Sequence, residues 1–415
     1  MSDQTRIPSR PSRRRFLRAA GGSAALMATV AGGWARAQNT KLAVSVGRQP
    51  FAAGNSPITQ YMIDKKLFEK QAAALGYEIT VDWRDYPSAA PMVEAFVSNN
   101  LDLGMWGNTP IIRGIAQQQP WTVLNLGEGH MRFVIATQPD SNIRNVQDLK
   151  GKTVGTLVGG DPYNVLSQIL LNELGSGDPK AFDIKIVNTP TQALAATIPR
   201  GMDAAVVIYP AYLKAKKELG IVGIVNSYGY TEDYYKGPAG EGAGKMLESV
   251  RKSRFYPEGF YVHRSFWVGQ NKLIDAHPKL VVAFLAAQQE AVESLNRMDP
   301  GAVSEMVKKY WGLPPDDGAK IVKDEVVFIR GWVWPTEGDA VALLETSKFM
   351  VEGRIIDKPL TWQQITQNMS KAAPLLQQAY ERSGRKPDAS AFIATDAKDL
   401  RGLPAWDIAK WKSRS

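Results

Sequence analysis

The chain has no cysteine and only three histidines in 415 residues. Without a thiol there can be neither a disulfide nor a thiolate metal site. The histidines, His130, His263 and His277, lie far apart and in no H-x-x-H or H-E-x-x-H spacing, which speaks against a histidine-built zinc centre. A membrane-spanning helix needs about 20 mostly apolar residues. The nearest run, Ala19 to Ala35, is shorter and diluted by glycine and other small residues. Enzyme signatures are missing as well: no G-x-S-x-G elbow, no Walker loop and no G-x-G-x-x-G opening a helix. Gly240-Glu241-Gly242 sits among small residues and reads as a linker. Asp82 and Asp85 are close in sequence, but nothing makes them an acid/base pair.

What is present begins at the N-terminus. Ser12-Arg13-Arg14-Arg15-Phe16-Leu17-Arg18 matches the twin-arginine export pattern, and Ala35-Arg36-Ala37 offers a small-x-small cleavage site. The expectation is a signal peptide over 1–37, a mature start at Gln38 and a periplasmic destination. The formal charge of +9 then changes meaning, because residues 1–37 hold seven basic and one acidic residue. The remainder carries a net +3, so a nucleic-acid-binding reading loses its support. The remaining length, about 378 residues, exceeds what one hydrophobic core usually holds, so two lobes are expected.

Strands and helices alternate along the chain. Leu42–Val46, Tyr77–Trp83 and Leu101–Met105 read as strands around helices at Ile58–Leu75 and Met92–Val97. A second unit begins near Arg132, with strands at Phe133–Ala136, Thr153–Leu157, Ile184–Val187 and Ala204–Tyr209. A one-turn helix at Val146–Lys152 and helices at Tyr163–Leu174 and Gln192–Ile198 lie between them. The rhythm implies mainly parallel sheets covered by helices. Residues 227–262 interrupt it with aromatics interleaved with glycine and charge, read as a long loop with a short helix at Gly244–Ser253. Helices follow at Pro278–Met298, Gly301–Trp311, Asp316–Phe328, Asp339–Val351 and Thr361–Glu381, and beyond Ser383 a polar surface tail.

Ser56-Pro57, Thr109-Pro110, Asp161-Pro162 and Thr189-Pro190 recur at strand-to-helix junctions. Each sets a capping side chain before a proline at a helix start. Such junctions lie at the carboxyl ends of parallel strands, where open α/β sheets bind ligands and helix N-termini attract anions.

Several ordered segments resemble the nitrate/sulfonate/taurine-type substrate-binding proteins of ABC importers. They are Lys66-Leu67-Phe68-Glu69-Lys70, Asn100-Leu101-Asp102-Leu103-Gly104, Gly107-Asn108-Thr109-Pro110, Asn145 through Val154, and Gly201-Met202-Asp203-Ala204-Ala205. The resemblance implies a two-lobed type II periplasmic-binding fold, each lobe a mixed, mainly parallel sheet flanked by helices, with the ligand cleft between them. Lobe one would comprise 38–128 and 227–382, with the aromatic insertion at 227–262. Lobe two would be 129–226, and 383–415 the tail. Ligand contacts implied by the matching segments are Arg48, Gln49 and Phe51, then Asn108 and Thr109. Gly160, Asp161, Tyr163, Asn164 and Tyr209 would complete the set from lobe two. Relatives carry Gly-Ser/Thr where Gly160-Asp161 stands, and an aspartate facing the cleft repels an anion unless it caps its helix or pairs with Arg48.

The expected function is capture of a small organic anion, sulfonate-, taurine- or nitrate-like, by a monomer that hands it to an inner-membrane permease. No cofactor, metal or nucleic acid is expected. An aromatic carboxylate or other ring-bearing ligand is the alternative if the rings of 228–261 face the cleft, and a ligand sensor is another. Fold relatives that are enzymes of thiamine-pyrimidine synthesis depend on a cysteine-rich motif, which this chain lacks.

Overall fold

The computed structural model describes residues 39–49, 56–129, 131–190, 194, 198–209, 211–231, 245–311, 330–384 and 402–414. The leader, Phe51, His130, and the helix expected at Asp316–Phe328 lie outside these residues, as does nearly all of the one expected at Gln192–Ile198.

Two five-stranded sheets form the frame. The first takes β1 (Thr40–Arg48), β2 (Tyr77–Asp85), β3 (Leu103–Gly107), β4 (Trp121–Gly129) and, from far downstream, β10 (Arg264–Gln270), in the order β2-β1-β3-β10-β4. The second takes β5 (Phe133–Thr137), β6 (Thr153–Thr156), β7 (Lys185–Asn188), β8 (Ala204–Ile208) and β9 (Val222–Asn226), in the order β7-β6-β8-β5-β9. In each sheet one strand, β10 or β5, runs against the other four. The mainly parallel, two-lobed architecture is therefore present. The chain passes between sheets after β4 and again between β9 and β10.

Four of the strands are buried on both faces. Every residue of β3, β5, β8 and β10 is buried, and β3, β5 and β8 are accordingly built almost wholly of apolar or small residues instead of alternating. β4, β9 and β10 were not foreseen from sequence. For β10, Arg264 and Ser265 open the strand, and Trp267 lies edge-on to Phe284 of the helix Pro278–Arg297 at 4.9 Å.

Three expected elements differ. Ile58–Leu75 is not one helix but two, α1 (Ser56–Lys65) and α2 (Leu67–Ala73), broken at Lys66 with φ +51°. The break turns Leu67 and Phe68 into the core, where Phe68 meets Phe284 at 5.2 Å. Thr361–Glu381 likewise divides into Trp362–Ser370 and Ala373–Arg382, because Pro374 lacks the N–H that an uninterrupted helix needs.

The third difference is at the C-terminus, where 402–414 is no surface tail. Leu403 and Ala405 hydrogen-bond the backbone of Glu337 and Pro335 at 2.9 Å. Trp406 packs on Tyr380 at 4.7 Å and near Trp334 at 6.1 Å. The polar composition of 383–400 concealed an aromatic clamp that follows it.

Candidate functional site

The carboxyl ends of β3 and β6 lead into two longer helices, α4 (Asn108–Ala116) and α5 (Asp161–Leu174), one from each sheet. Their caps are glycines, Gly107 and Gly160, and neither end has a side-chain cap. This corrects the reading of Thr109 and Asp161 as caps. With glycine in the cap position both side chains are one or two residues inside the helix and free to reach outward, and they reach each other.

Asp161 Oδ1 accepts from the Thr109 backbone N–H at 3.0 Å, from the Thr109 hydroxyl at 2.8 Å and from the Tyr261 hydroxyl at 2.5 Å. Asn164 Nδ2, one turn along α5, donates to the Thr109 hydroxyl oxygen. A carboxylate carried by one lobe thus sits at the N-terminus of a helix of the other, where aligned backbone dipoles favour negative charge. Burial, then the adjacent Asp161 charge, raises the Tyr261 phenol well above its usual value, so it remains a donor.

The second oxygen, Asp161 Oδ2, takes no hydrogen bond among the described residues. It faces a cavity of about 50 Å³ between the sheets, walled by Gln49, Gly107, Met131, Phe133 and Ile208, with His263 and Ser265 on the β10 side. His263 Nε2 stands 3.7 Å from Asp161 Oδ2, too far for a hydrogen bond. Burial pushes His263 down to about 4, helped by the Arg264 charge and opposed by Asp161, so the imidazole is neutral at ordinary pH. The contact is therefore not an ion pair. Its Nδ1 is enclosed without a hydrogen-bond partner. Gly107 makes the arrangement possible: a Cβ there would lie 1.8 Å from Asp161 Oδ2 and 2.8 Å from His263 Nε2.

A buried ionic cluster holds this wall in place. Asp339 accepts from Arg264 at 2.8 Å and from Arg330 at 2.9 Å, all three fully enclosed. Burial alone would raise the Asp339 carboxyl, but Arg330 and Arg264 outweigh it and the shift is downward. The Arg264 N–H donates to Asn108 Oδ1 at 3.0 Å, and Asn108 Nδ2 donates to the Val262 carbonyl at 2.8 Å. The start of α4 and the segment carrying Tyr261 and His263 are thereby locked together.

The cavity shares Ala89, Pro110, Leu157 and Gly160 with an adjoining groove of about 300 Å³. Glu94 and Arg113 line that groove. Arg113 Nη1 lies 2.8 Å from where a Cβ on Gly159 would be, so the guanidinium reaches from α4 to the turn before α5.

Of the residues expected from sequence, Gln49, Gly160 and Asp161 line the cavity. Thr109 and Asn164 stand behind Asp161 in its hydrogen-bond chain. Asn108 is fully buried and spends its amide on the backbone of 262–264, away from the cavity. Arg48 bonds Asp85 at 2.5 Å and Gln60 at 2.7 Å instead of Asp161. Tyr209 stacks on Arg132 at 4.4 Å, at the passage between sheets. Tyr163 is not among the lining residues, and its phenol is raised by burial and then by Asp178. Phe51 lies outside the described residues.

His263, Phe133, Met131 and Arg113 were missed as site residues, and no local motif marks them. In the aromatic insertion, Phe255 and Tyr261 pack with Phe349 at 5.9 and 5.7 Å, so these rings build core. Among the described residues no group of His, Asp and Glu side chains is arranged to hold a metal.

The sequence model of the family described as "ABC transporter, phosphonate, periplasmic substrate-binding protein" matches residues 62–293. A taurine-binding periplasmic protein of Escherichia coli is 26% identical over 188 residues, 44% of this chain and 52% of the relative. The match thus spans about half the length of that relative. Among solved structures, the periplasmic aliphatic sulphonate-binding protein of Escherichia coli superposes with a TM-score of 0.53 at 20% identity, covering 78% of this chain and 91% of its own. A desulfurization enzyme also shares the fold, with a TM-score of 0.50 at 13% identity over 82% of this chain and 99% of its own.

Proposed function

This chain belongs to the phosphonate-type periplasmic substrate-binding proteins of ABC transporters, and we propose that it captures a small organic acid between its lobes and delivers it to a membrane permease. The observation that carries the reading is the meeting of two helix N-termini, α4 and α5, at a cavity walled by both sheets and opening onto a groove with Arg113. With the N-terminus of α4 already holding the Asp161 carboxylate, the Arg113 guanidinium is the group that attracts an acid, and the relatives named for taurine and sulphonates support a sulfonate-like one. The acid lies in the groove, near Arg113. Gln49, Gly160 and Asp161 contact the inner end of the ligand.

The proposed lobes are 38–128 with 227–382, and 129–226, closing by hinge motion at the two passages between sheets. The protein acts as a monomer in the periplasm, exported by the twin-arginine signal around Arg13 and Arg14. Binding without turnover is supported by the family; the enzyme neighbour shares the fold alone. Of the rings that suggested a ring-bearing ligand, those of Phe255 and Tyr261 are spent on core packing, and Tyr234 and Tyr235 lie outside the described residues.

Titration calorimetry and thermal shift of the protein lacking 1–37, against alkanesulfonates, aminoalkanesulfonates, aminoalkylphosphonates, nitrate and aromatic acids, test this. Saturable binding of at least one aliphatic acid is expected, weakened about tenfold or more by Arg113→Ala, the loss of one charge-assisted contact. Absence of binding to every acid overturns the reading.

A further inference from the structure

We propose that Asp161 is the specificity-determining residue of this site, and that it selects a ligand whose buried end is a protonated amine or amidine. This rests on the reading of the cleft as the ligand site, and deepens it.

Among the described residues, the inner cavity has one charged side chain in its wall, that charge is negative, and neither lysine nor arginine lines it. Oδ1 of Asp161 is saturated by the donors of Thr109 and Tyr261, while Oδ2 is turned to the cavity. The opposite polar wall, His263, is neutral and offers a ring nitrogen, and Gln49 and Ser265 add side chains able to accept. An anionic end placed here would meet a carboxylate within hydrogen-bond distance with no cation to offset it, and the low local dielectric magnifies that repulsion. An ammonium or amidinium end instead completes the free valence of Oδ2 with a charge-assisted bond.

The surroundings fit a short alkyl stem: Met105, Met131, Phe133, Leu157 and Ile208 are all apolar. The cavity, about 50 Å³, holds several water-sized groups, room for an aminomethyl or amidine end and not for a whole metabolite. The remainder of the ligand continues into the outer groove past Pro110 and Gly160 toward Arg113. The inner cavity thus carries one negative charge, while the outer groove carries the cation Arg113 beside Glu94, and the ligand runs amine inward, with its acid outward on Arg113. An internal carboxylate at the N-terminus of α4 also closes that anion site to the ligand's own acid, which is why the acid is sent to Arg113.

Matched pairs separate the two claims. Taurine and ethanesulfonate, and 2-aminoethylphosphonate and ethylphosphonate, differ by one amine, and a simple alkylamine series lacks the acid. Titration calorimetry on the unsubstituted protein is expected to give at least tenfold tighter binding for the amine-bearing member of each pair. Asp161→Asn, which keeps an acceptor for Thr109 and Tyr261, is expected to erase or invert that ratio. Equal or tighter binding of the amine-free acids overturns this proposal and leaves the organic-acid reading standing. Binding of alkylamines but of no acid does the reverse. The unsubstituted protein alone decides the first comparison, and Asp161→Ser repeats the second should the asparagine variant fold poorly.

Discussion

Thr109 and Asp161 are 52 residues apart, on helices of different sheets, yet the Thr109 backbone N–H and hydroxyl both donate to one Asp161 oxygen, at 3.0 and 2.8 Å. The Thr109 oxygen in turn receives the Asn164 amide. Contact between the lobes is made through the chain's own carboxylate. Thr109→Val removes one donor to Asp161 and orphans Asn164 Nδ2. A loss of about 1–3 kcal/mol is expected, as a lower urea midpoint with unchanged m-value and as weaker ligand binding.

Gly107 is close-packed for a different reason than backbone freedom. Its φ of −77° suits any residue, but a methyl group would fall 1.8 Å from Asp161 Oδ2. Gly107→Ala is expected to drive the carboxylate from its seat, breaking its bonds to Thr109 and Tyr261, and so to reduce ligand affinity about tenfold or more and lower the unfolding midpoint at least as far as Thr109→Val does. Calorimetry and chemical denaturation on the same variant distinguish the two effects.

His263 links stability to pH. Its folded-state value, about 4, lies below the ordinary value of 6.5 given for the unfolded chain. As pH falls, the unfolded chain takes up this proton first. The stability contribution is therefore complete above pH 6.5 and is lost between there and about pH 4, on the order of 3 kcal/mol over the window. In His263→Gln the unfolding free energy is expected to fall less steeply between pH 6.5 and 4 than in the unsubstituted chain; identical slopes contradict the assignment.

Asp339 neutralises two enclosed guanidiniums, those of Arg264 and Arg330. Asp339→Asn leaves both buried without their counter-charge, and a destabilisation of about 3–5 kcal/mol is expected. Because the Arg264 N–H anchors Asn108 at the start of α4, the ligand affinity of any folded fraction should fall too. A thermal midpoint and a titration at low temperature measure the two losses separately.

The C-terminal clamp gives a fifth test. Deleting 402–415 uncovers Trp334 and Tyr380, which Trp406 packs against at 6.1 and 4.7 Å. The expected cost is about 3–5 kcal/mol, that of losing a large buried aromatic group. A truncated protein as stable as the full chain would show the clamp to be incidental.

Much of the frame was readable from local pattern. The apolar runs at Leu42–Val46, Phe133–Ala136 and Ala204–Tyr209 are strands, and the Asp161-Pro162 junction does start a helix. At Ile58–Leu75 local pattern misled because of a single backbone event. Lys66 breaks a helix that its side-chain periodicity would continue, by a left-handed conformation that no neighbouring residue announces.

By itself, then, the sequence determined the alternation of strand and helix, the absence of thiol chemistry and the place of the helix N-termini, since each depends on residues within a few positions of one another. Tertiary structure decided what those N-termini hold. Tyr261 meets Asp161 across 100 residues, and β10 enters between β3 and β4 to bring His263 to the cavity. Long-range contacts of this kind leave no periodicity in the chain. Asp161, which the sequence offered both as a helix cap and as a ligand contact, is brought by the packing of the lobes onto Thr109 and to the wall of the inner cavity.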